Sequence, residues 1–136
     1  MGRNLEILKH GDERLWLLLG RFFCDRAVLK EMGGPLYSGP GVTWFVALAR
    51  GKVVGFCSLR VTPTAYWHDY AYVVPEARKH GVHERLAATR EKLQATLPPL
   101  PSRVAIPKRR WPRYQRRGWS IQSERGSWIY AVLVPQ

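Results

Sequence analysis

The stretch "TWFVALARGKVVGFCSLRV", residues 43–61, sets the terms for the fold. Two apolar runs, 44–49 and 53–61, flank Arg50-Gly51. A glycine in a two-residue connection supplies the positive φ of a tight turn, so the pair predicts a β-hairpin. A strand exposed on one face alternates apolar and polar residues, but these runs are nearly continuous. The hairpin must therefore lie in a sheet covered on both faces, and the rest of the chain must supply the covers.

The flanking segments are patterned to do so. Residues 5–8 predict a short first strand. Asp12 is placed to cap a helix whose apolar positions Leu15, Leu18, Leu19, Phe22 and Phe23 recur at spacings of three and four. That helix is expected to continue through Ala27 and Val28 to Gly33-Gly34-Pro35, with 37–41 as a loop. After Pro63, "YWHDYAYVV" predicts a further strand ended by Pro75. Alternation puts Tyr66, His68, Tyr70, Tyr72 and Val74 on one face, and Trp67, Asp69, Ala71 and Val73 on the other. A second helix is expected over 81–96, with Val82, Leu86, Leu93 and Leu97 as its buried stripe, before "LPPLP" stops it. A strand at 103–106, a short helix at 111–117 and a hairpin of 119–122 with 128–134 complete the chain. Pro112 sits at the short helix's first position and Gly118 just past its end. The pattern is that of one mixed α/β domain.

The chain has 136 residues, which suits a single core. No apolar run approaches the ~18 residues of a membrane span, and the N-terminus lacks a secretory pattern. A cytoplasmic protein is expected. Cys24 and Cys57 fall in a helical and a strand pattern without metal spacing, and are expected to be reduced core thiols. The formal net charge is +12. From Lys92 through Ser123 there are eight Lys or Arg and no acidic residue. Such a block attracts polyanions, either nucleic acid or a nucleotide cofactor with several phosphates.

A strand-to-helix junction, "PEARKHGVHERL" at 75–86, carries chemistry of its own. A helix start exposes backbone N–H groups and partial positive charge, so anions bind there. Gly81 allows close backbone approach, and Arg78 and Lys79 add full charge. These are the parts of a pyrophosphate cradle.

In this order of elements, "VVPEARKHGVHERL" resembles the acyl-coenzyme A signature of the GNAT (Gcn5-related N-acetyltransferase) superfamily. That signature reads Val-x-Pro, two residues, Arg or Gln, two residues, Gly, any residue, Gly or Ala. "FVALARGKVVGFCSL" is similar to the family's second-to-third strand hairpin, with Gly55 as its later glycine. "YQRRGW", 114–119, resembles its Tyr-x-x-x-Gly-Phe pattern. The matches span roughly 44–134; the first 43 residues agree only in secondary-structure pattern. The chain departs from the signature at its last position, where His83 stands in place of Gly or Ala.

The resemblance implies a GNAT-like α/β acyltransferase domain over 1–136, with a mixed, mostly antiparallel sheet of six to seven strands flanked by helices. It implies acetyl-CoA as acyl donor and direct attack by an amine. The cradle would be the amides of Lys79, His80, Gly81, Val82 and His83, with Arg78 and Lys79 adding charge and the strand end at Tyr72, Val73 and Val74 holding the pantetheine arm. Tyr114 matches the acid that protonates the departing thiolate. The base is left open between His68, Asp69 and water; alternation points the two side chains to opposite faces. His80 and His83 lack a carboxylate partner at ligand spacing, so no metal is expected.

"KRRWPRYQRRGW" interleaves Lys108, Arg109, Arg110, Arg113, Arg116 and Arg117 with aromatic residues. Six charges exceed the demand of one coenzyme A, which suggests a nucleic-acid or nucleotide acceptor. A small amine and a protein N-terminus stay open as acceptors. Two other readings share these residues: a GNAT-shaped nucleic-acid-binding module without acetyl transfer, and a toxin that acylates tRNA. Exposed sheet edges suggest a homodimer.

Overall fold

The structure, a computed structural model, describes residues 3–135. Its chain runs β1 (Arg3–Lys9), α1 (Arg14–Phe23), α2 (Arg26–Met32), β2 (Val42–Ala49), β3 (Lys52–Val61), β4 (Tyr66–Trp67), β5 (Ala71–Val73), α3 (Val82–Gln94), β6 (Ser102–Pro107), α4 (Trp111–Arg116), β7 (Ser120–Arg125) and β8 (Trp128–Leu133). The strands form one sheet in the order β1-β2-β3-β4-β6-β8-β7, with β5 paired on β3. All pairings are antiparallel except β4 with β6. Counted as one broken strand, β4 and β5 bring the sheet to seven strands, in line with the α/β class read from the sequence.

The hairpin forms as its pattern dictates. Arg50 and Gly51 both take positive φ in the turn. Trp44, Phe45, Val46 and Ala47 are all buried, so successive side chains enter cores on opposite faces. On one face Trp44, Val46 and Phe56 pack with Leu15, Leu19 and Phe22 of α1 and Val28 of α2. On the other, Phe45, Cys57 and Leu59 pack with Val82 and Leu86 of α3. Each fully buried Leu or Val contributes about 1.5–3 kcal/mol relative to exposure. Gly55 lets α3 come this close: a Cβ there would stand 3.0 Å from both Tyr72 O and Val82 Cγ1.

The expected first helix is two helices. Asp25 takes an extended backbone and its carboxylate accepts from the N–H groups of Ala27 and Val28, which caps α2 and breaks the run. Asp12 accepts from the Arg14 N–H, although Glu13 occupies the capping position itself. Cys24, at the end of α1, is exposed and not a core thiol; Cys57 is buried. The eighth strand segment arises because the "YWHDYAYVV" run does not hold one register. β4 lies between β3 and β6, then the chain leaves the ladder at His68–Tyr70 and β5 resumes on β3 alone. The faces switch with it: Tyr66 packs on the α3 side, whereas Tyr72 packs with Phe22 and Phe56 on the α1 side. The single alternation expected over 66–74 is therefore broken.

This break splits the sheet. The His68 N–H still bonds to Arg103 O of β6, at 2.9 Å. Beyond it β5 stays with β3 while β6 stays with β8, and the two halves part. Val104, Ile106, Trp119, Ile129 and Ala131 form a separate core under the C-terminal half. The opening between β5 and β6 is where chemistry can enter.

Candidate active site

Two cavities lie on this opening. The first, about 590 Å³, runs between β5, the loop into α3, and α4. The second, about 560 Å³, runs between α3 and β8 beneath α4. Both fall in the range typical of small-ligand sites. His83, Arg113 and Tyr114 line both, so the two cavities meet at these three side chains.

The first cavity is built around the start of α3. A 3-10 turn over Pro75–Ala77 leads into a loop in which Lys79 and Gly81 take positive φ, 67° and 81°. A left-handed residue with a Cβ costs about 1–2 kcal/mol, so Lys79 holds a shape that the loop imposes on it. Gly81 occupies the capping position of α3 and offers no side-chain cap. The first α-helical bond closes from Arg85 N–H to Gly81 O, which leaves the N–H groups of Val82, His83 and Glu84 ahead of the helical ladder. Arg78, Lys79, Arg109, Arg110, Arg113 and Arg116 line the cavity against only Glu31 and Glu84. It is a strongly electropositive site.

Its mouth is bridged. Arg78 donates to both oxygens of Glu31, at 2.8 and 3.1 Å, and to Val73 O at 2.8 Å. Arg110 reaches the same carboxylate at 3.3 Å. Burial pushes the Arg110 guanidinium below its ordinary range, and Tyr114 and Glu31 partly offset this. On the strand side, Tyr70 O and Val74 N–H are bonded to β3. By the alternation of an antiparallel ladder, the backbone groups of Ala71 and Val73 then face the opening. The Val74 amide is thus spent, and the Tyr72 side chain is core. Val73 is the member of the expected strand-end set that also lines the cavity.

His83 stands on the wall shared by the two cavities, so the ring at the departing signature position does not turn away. Its Nδ1 is buried with no protein partner. Burial first, then the charges of Arg113 and Arg90, push its pKa down to about 4, so the ring is neutral. Across the junction, Tyr114 on α4 packs edge-on against Trp119, ring centroids 5.4 Å apart. His80 is exposed and lines neither cavity.

The second cavity carries a buried polar chain. His68, 8% exposed, bonds through Nε2 to Gln94 Oε1 at 2.8 Å, and Gln94 Nε2 donates to Ser102 Oγ at 2.7 Å. Burial, and then Arg90, hold the His68 pKa near 3 against the Gln94 bond. The ring is neutral, Nε2 is the donor to the amide oxygen, and Nδ1 is left as an acceptor. Asp69 points the other way, as alternation at this pair predicts. It is paired with Arg60 at 2.7 and 3.3 Å in a separate groove with Tyr37 and Tyr70. The structure therefore brings His68, His83 and Tyr114 to the cavities and leaves Asp69 outside them.

The basic residues of 108–117 do not form one strip. Arg109, Arg110, Arg113 and Arg116 line the first cavity, Arg117 lines the second, and Lys108 pairs with Glu124 at 3.4 Å. Sequence reasoning missed Glu31, Ala71, Arg90 and Gln94. Their spacing carries no signal, because only the split sheet brings them to the opening. Among the described residues no three His, Cys, Asp or Glu side chains gather as a metal site. No described helix is long and apolar enough to cross a membrane.

The fold has close counterparts among solved structures. ElaA of Escherichia coli superposes with a TM-score of 0.78 at 14% identity, over 95% of this chain and 98% of that one. The ribosomal-protein-S18-alanine N-acetyltransferase of E. coli gives 0.73 at 13%, over 99% and 95%. The PaiA N-acetyltransferase of Thermoplasma acidophilum, solved in complex with coenzyme A, gives 0.68 at 14%, over 98% and 99%. No protein-family model and no curated protein matches the chain by sequence. At these identities the likeness is one of fold: the chain shares the α/β architecture of these structures, in agreement with the fold that the sequence resemblance implied.

Proposed function

We propose that the protein is an acyl-CoA-dependent N-acyltransferase, with the first cavity holding coenzyme A and the second holding the amine acceptor. The observation that carries this reading is the meeting of an uncapped helix start with six cationic side chains in one cavity, at the split of a GNAT-fold sheet. Helix-start amides and guanidinium groups are what a diphosphate and a ribose phosphate require. The residues present thus fit the cofactor. The amides of Val82 and His83 would take the diphosphate, Arg78, Lys79 and Arg110 would add charge, and the backbone groups of Ala71 with the Val73 N–H would take the pantetheine amides, the Val73 carbonyl being engaged by Arg78. When bound, acetyl-CoA supplies a thioester carbonyl to an attacking amine.

Direct transfer forms an N–C bond as the C–S bond breaks. The amine loses a proton and the thiolate gains one, so the site needs a proton donor and a proton acceptor. Tyr114 is the donor in this reading: its phenol stands where the cavities join. His83, neutral and with Nδ1 unpartnered, can accept a hydrogen bond from the amine at the same junction; held at about 4, it does not keep the proton, which passes to water. His68 does not take this part. Its proton affinity is too low near neutrality, and its Nε2–H is committed to Gln94. Asp69, spent on Arg60, is outside the site. The guanidiniums around the second cavity also disfavour an ammonium, so the acceptor enters as the reactive neutral amine.

A second reading keeps a nucleic acid as acceptor or ligand, because Arg109, Arg113, Arg116 and Arg117 are exposed around the opening. Their placement against the cavities favours the cofactor. Incubation with acetyl-CoA and a mixed amine panel, followed by free-thiol release, tests the leading reading. Amine-dependent thiol release supports it. Binding of oligonucleotides with steep salt dependence, and no thiol release, would replace it with the binding-module reading.

A further inference from the structure

Arg90 is the least expected residue of the molecule. It projects from the middle of α3 and is 6% exposed, in a position where a charge is normally paired. Nη1 donates to Ser58 O at 3.1 Å. Nε is buried with no protein partner. Among the described residues no carboxylate lies within ion-pair distance of Arg90, Arg113 or Arg117. All three line the second cavity, and all three act electrostatically on His83. Glu91 is the one carboxylate on its wall, and it is exposed. A buried cation without a counter-charge is costly, and a bond to one carbonyl does not offset it. The Arg90 charge is uncompensated by any described carboxylate.

We propose that the second cavity selects amines that also carry a carboxylate, which Arg90 binds at its floor while the amine reaches the His83–Tyr114 junction. This rests on the transferase reading and names the substrate class for it. A guanidinium offers a planar fork of N–H groups that matches a carboxylate. The Nη1 bond to Ser58 holds the group in one orientation, and Gln94, tied to His68 and Ser102, fixes the wall beside it. Arg113 and Arg117 raise the local anion concentration at the rim. A cavity of about 560 Å³ has room for an amino acid or a short amino-carboxylate.

The test compares matched pairs on the intact protein. Acetyl transfer is measured for an ω-amino acid series, glycine to 5-aminopentanoate, against the corresponding amides, with coenzyme A binding followed separately by calorimetry. The inference expects at least one acid to exceed its amide by thirtyfold or more in kcat/KM. It also expects Arg90→Gln to erase that preference without weakening coenzyme A more than threefold, and Arg90→Lys to restore part of it. The N-acetylated acid should raise the wild-type Tm while the N-acetylated amide leaves it unmoved. Should Arg90→Gln fail to fold, the acid–amide comparison and the melting shifts on the wild type still decide. Amides used as well as acids, or an amine-bearing oligonucleotide used in their place, overturn this inference and leave the transferase reading standing. Absence of coenzyme A binding overturns both.

Discussion

Glu31 of α2 lies 2.8 Å from Arg78, forty-seven positions away, and ties the first helical layer to the loop that opens α3. The same carboxylate reaches Arg110, so it occupies the mouth of the electropositive cavity much as an anionic ligand would. A phosphate entering there competes with it. Glu31→Gln should therefore tighten coenzyme A about three- to fivefold at low ionic strength, with the gain fading as salt rises. Calorimetric titration at two salt concentrations measures this; weaker binding in the variant would show instead that Glu31 organises Arg78 for the ligand.

Tyr114→Phe keeps the ring against Trp119 and removes only the hydroxyl. If the phenol gives a proton to the departing thiolate, kcat falls about 10²-fold or more while coenzyme A affinity stays within twofold. Steady-state kinetics beside a binding isotherm separates the two effects. An unchanged kcat would reduce Tyr114 to packing.

Gly55 of β3 faces Val82 and Leu86 of α3. Gly55→Ala places a methyl 3.0 Å from a backbone oxygen that cannot swing aside. Tyr72 of β5, and Val82 and Leu86 of α3, must give way by a few tenths of an ångström, at a cost of about 1–3 kcal/mol in urea unfolding. Because α3 carries both the cradle and Arg90, the variant should also lose coenzyme A affinity. Wild-type stability would mean that these contacts relax without cost.

Two neutral histidines give the protein an acid-sensitive fold. His68 and His83 are held near 3 and near 4 in the folded chain, against about 6.5 when unfolded. Between these limits the unfolded chain binds protons that the folded chain does not, so stability rises with pH across this window and is lost as pH falls below about 6.5. His68, the more buried, should contribute close to one proton to the slope of unfolding free energy against pH. Urea melts between pH 4.5 and 7 test this, with His68→Asn expected to flatten the slope. An unchanged slope in the variant contradicts the assignment.

How much of this was legible in the sequence depends on the range over which each feature is determined. The 43–61 hairpin was readable because a local turn and two continuous apolar runs specify it. The break at Cys24-Asp25 was readable in principle: an Asp ahead of "RAV" is a capping signal that the apolar period obscured. The parting of β4 from β5 was not, because it follows from β3 and β6 competing for one segment, and pairing partners are non-local. The positive-φ loop that opens α3, proposed as the cradle, was legible from Gly81, since its backbone conformation is local. Arg90 looked like any charge on an amphipathic helix; only tertiary packing buries it. The basic residues of 108–117 suggest a nucleic-acid or nucleotide acceptor in the sequence, but how the fold divides them between two cavities and a hairpin has no local signal.

The central claim is that the start of α3 holds the diphosphate of an acyl carrier while His83 stands on the inner wall. A crystal structure of the protein with coenzyme A at saturating concentration tests it most directly. The account predicts the diphosphate on the N–H groups of Val82 and His83, the Glu31 bridge to Arg78 opened, and the thiol arm running past Ala71 and Val73 to Tyr114. Coenzyme A absent from that cavity, with Glu31 still locked between Arg78 and Arg110, would contradict it.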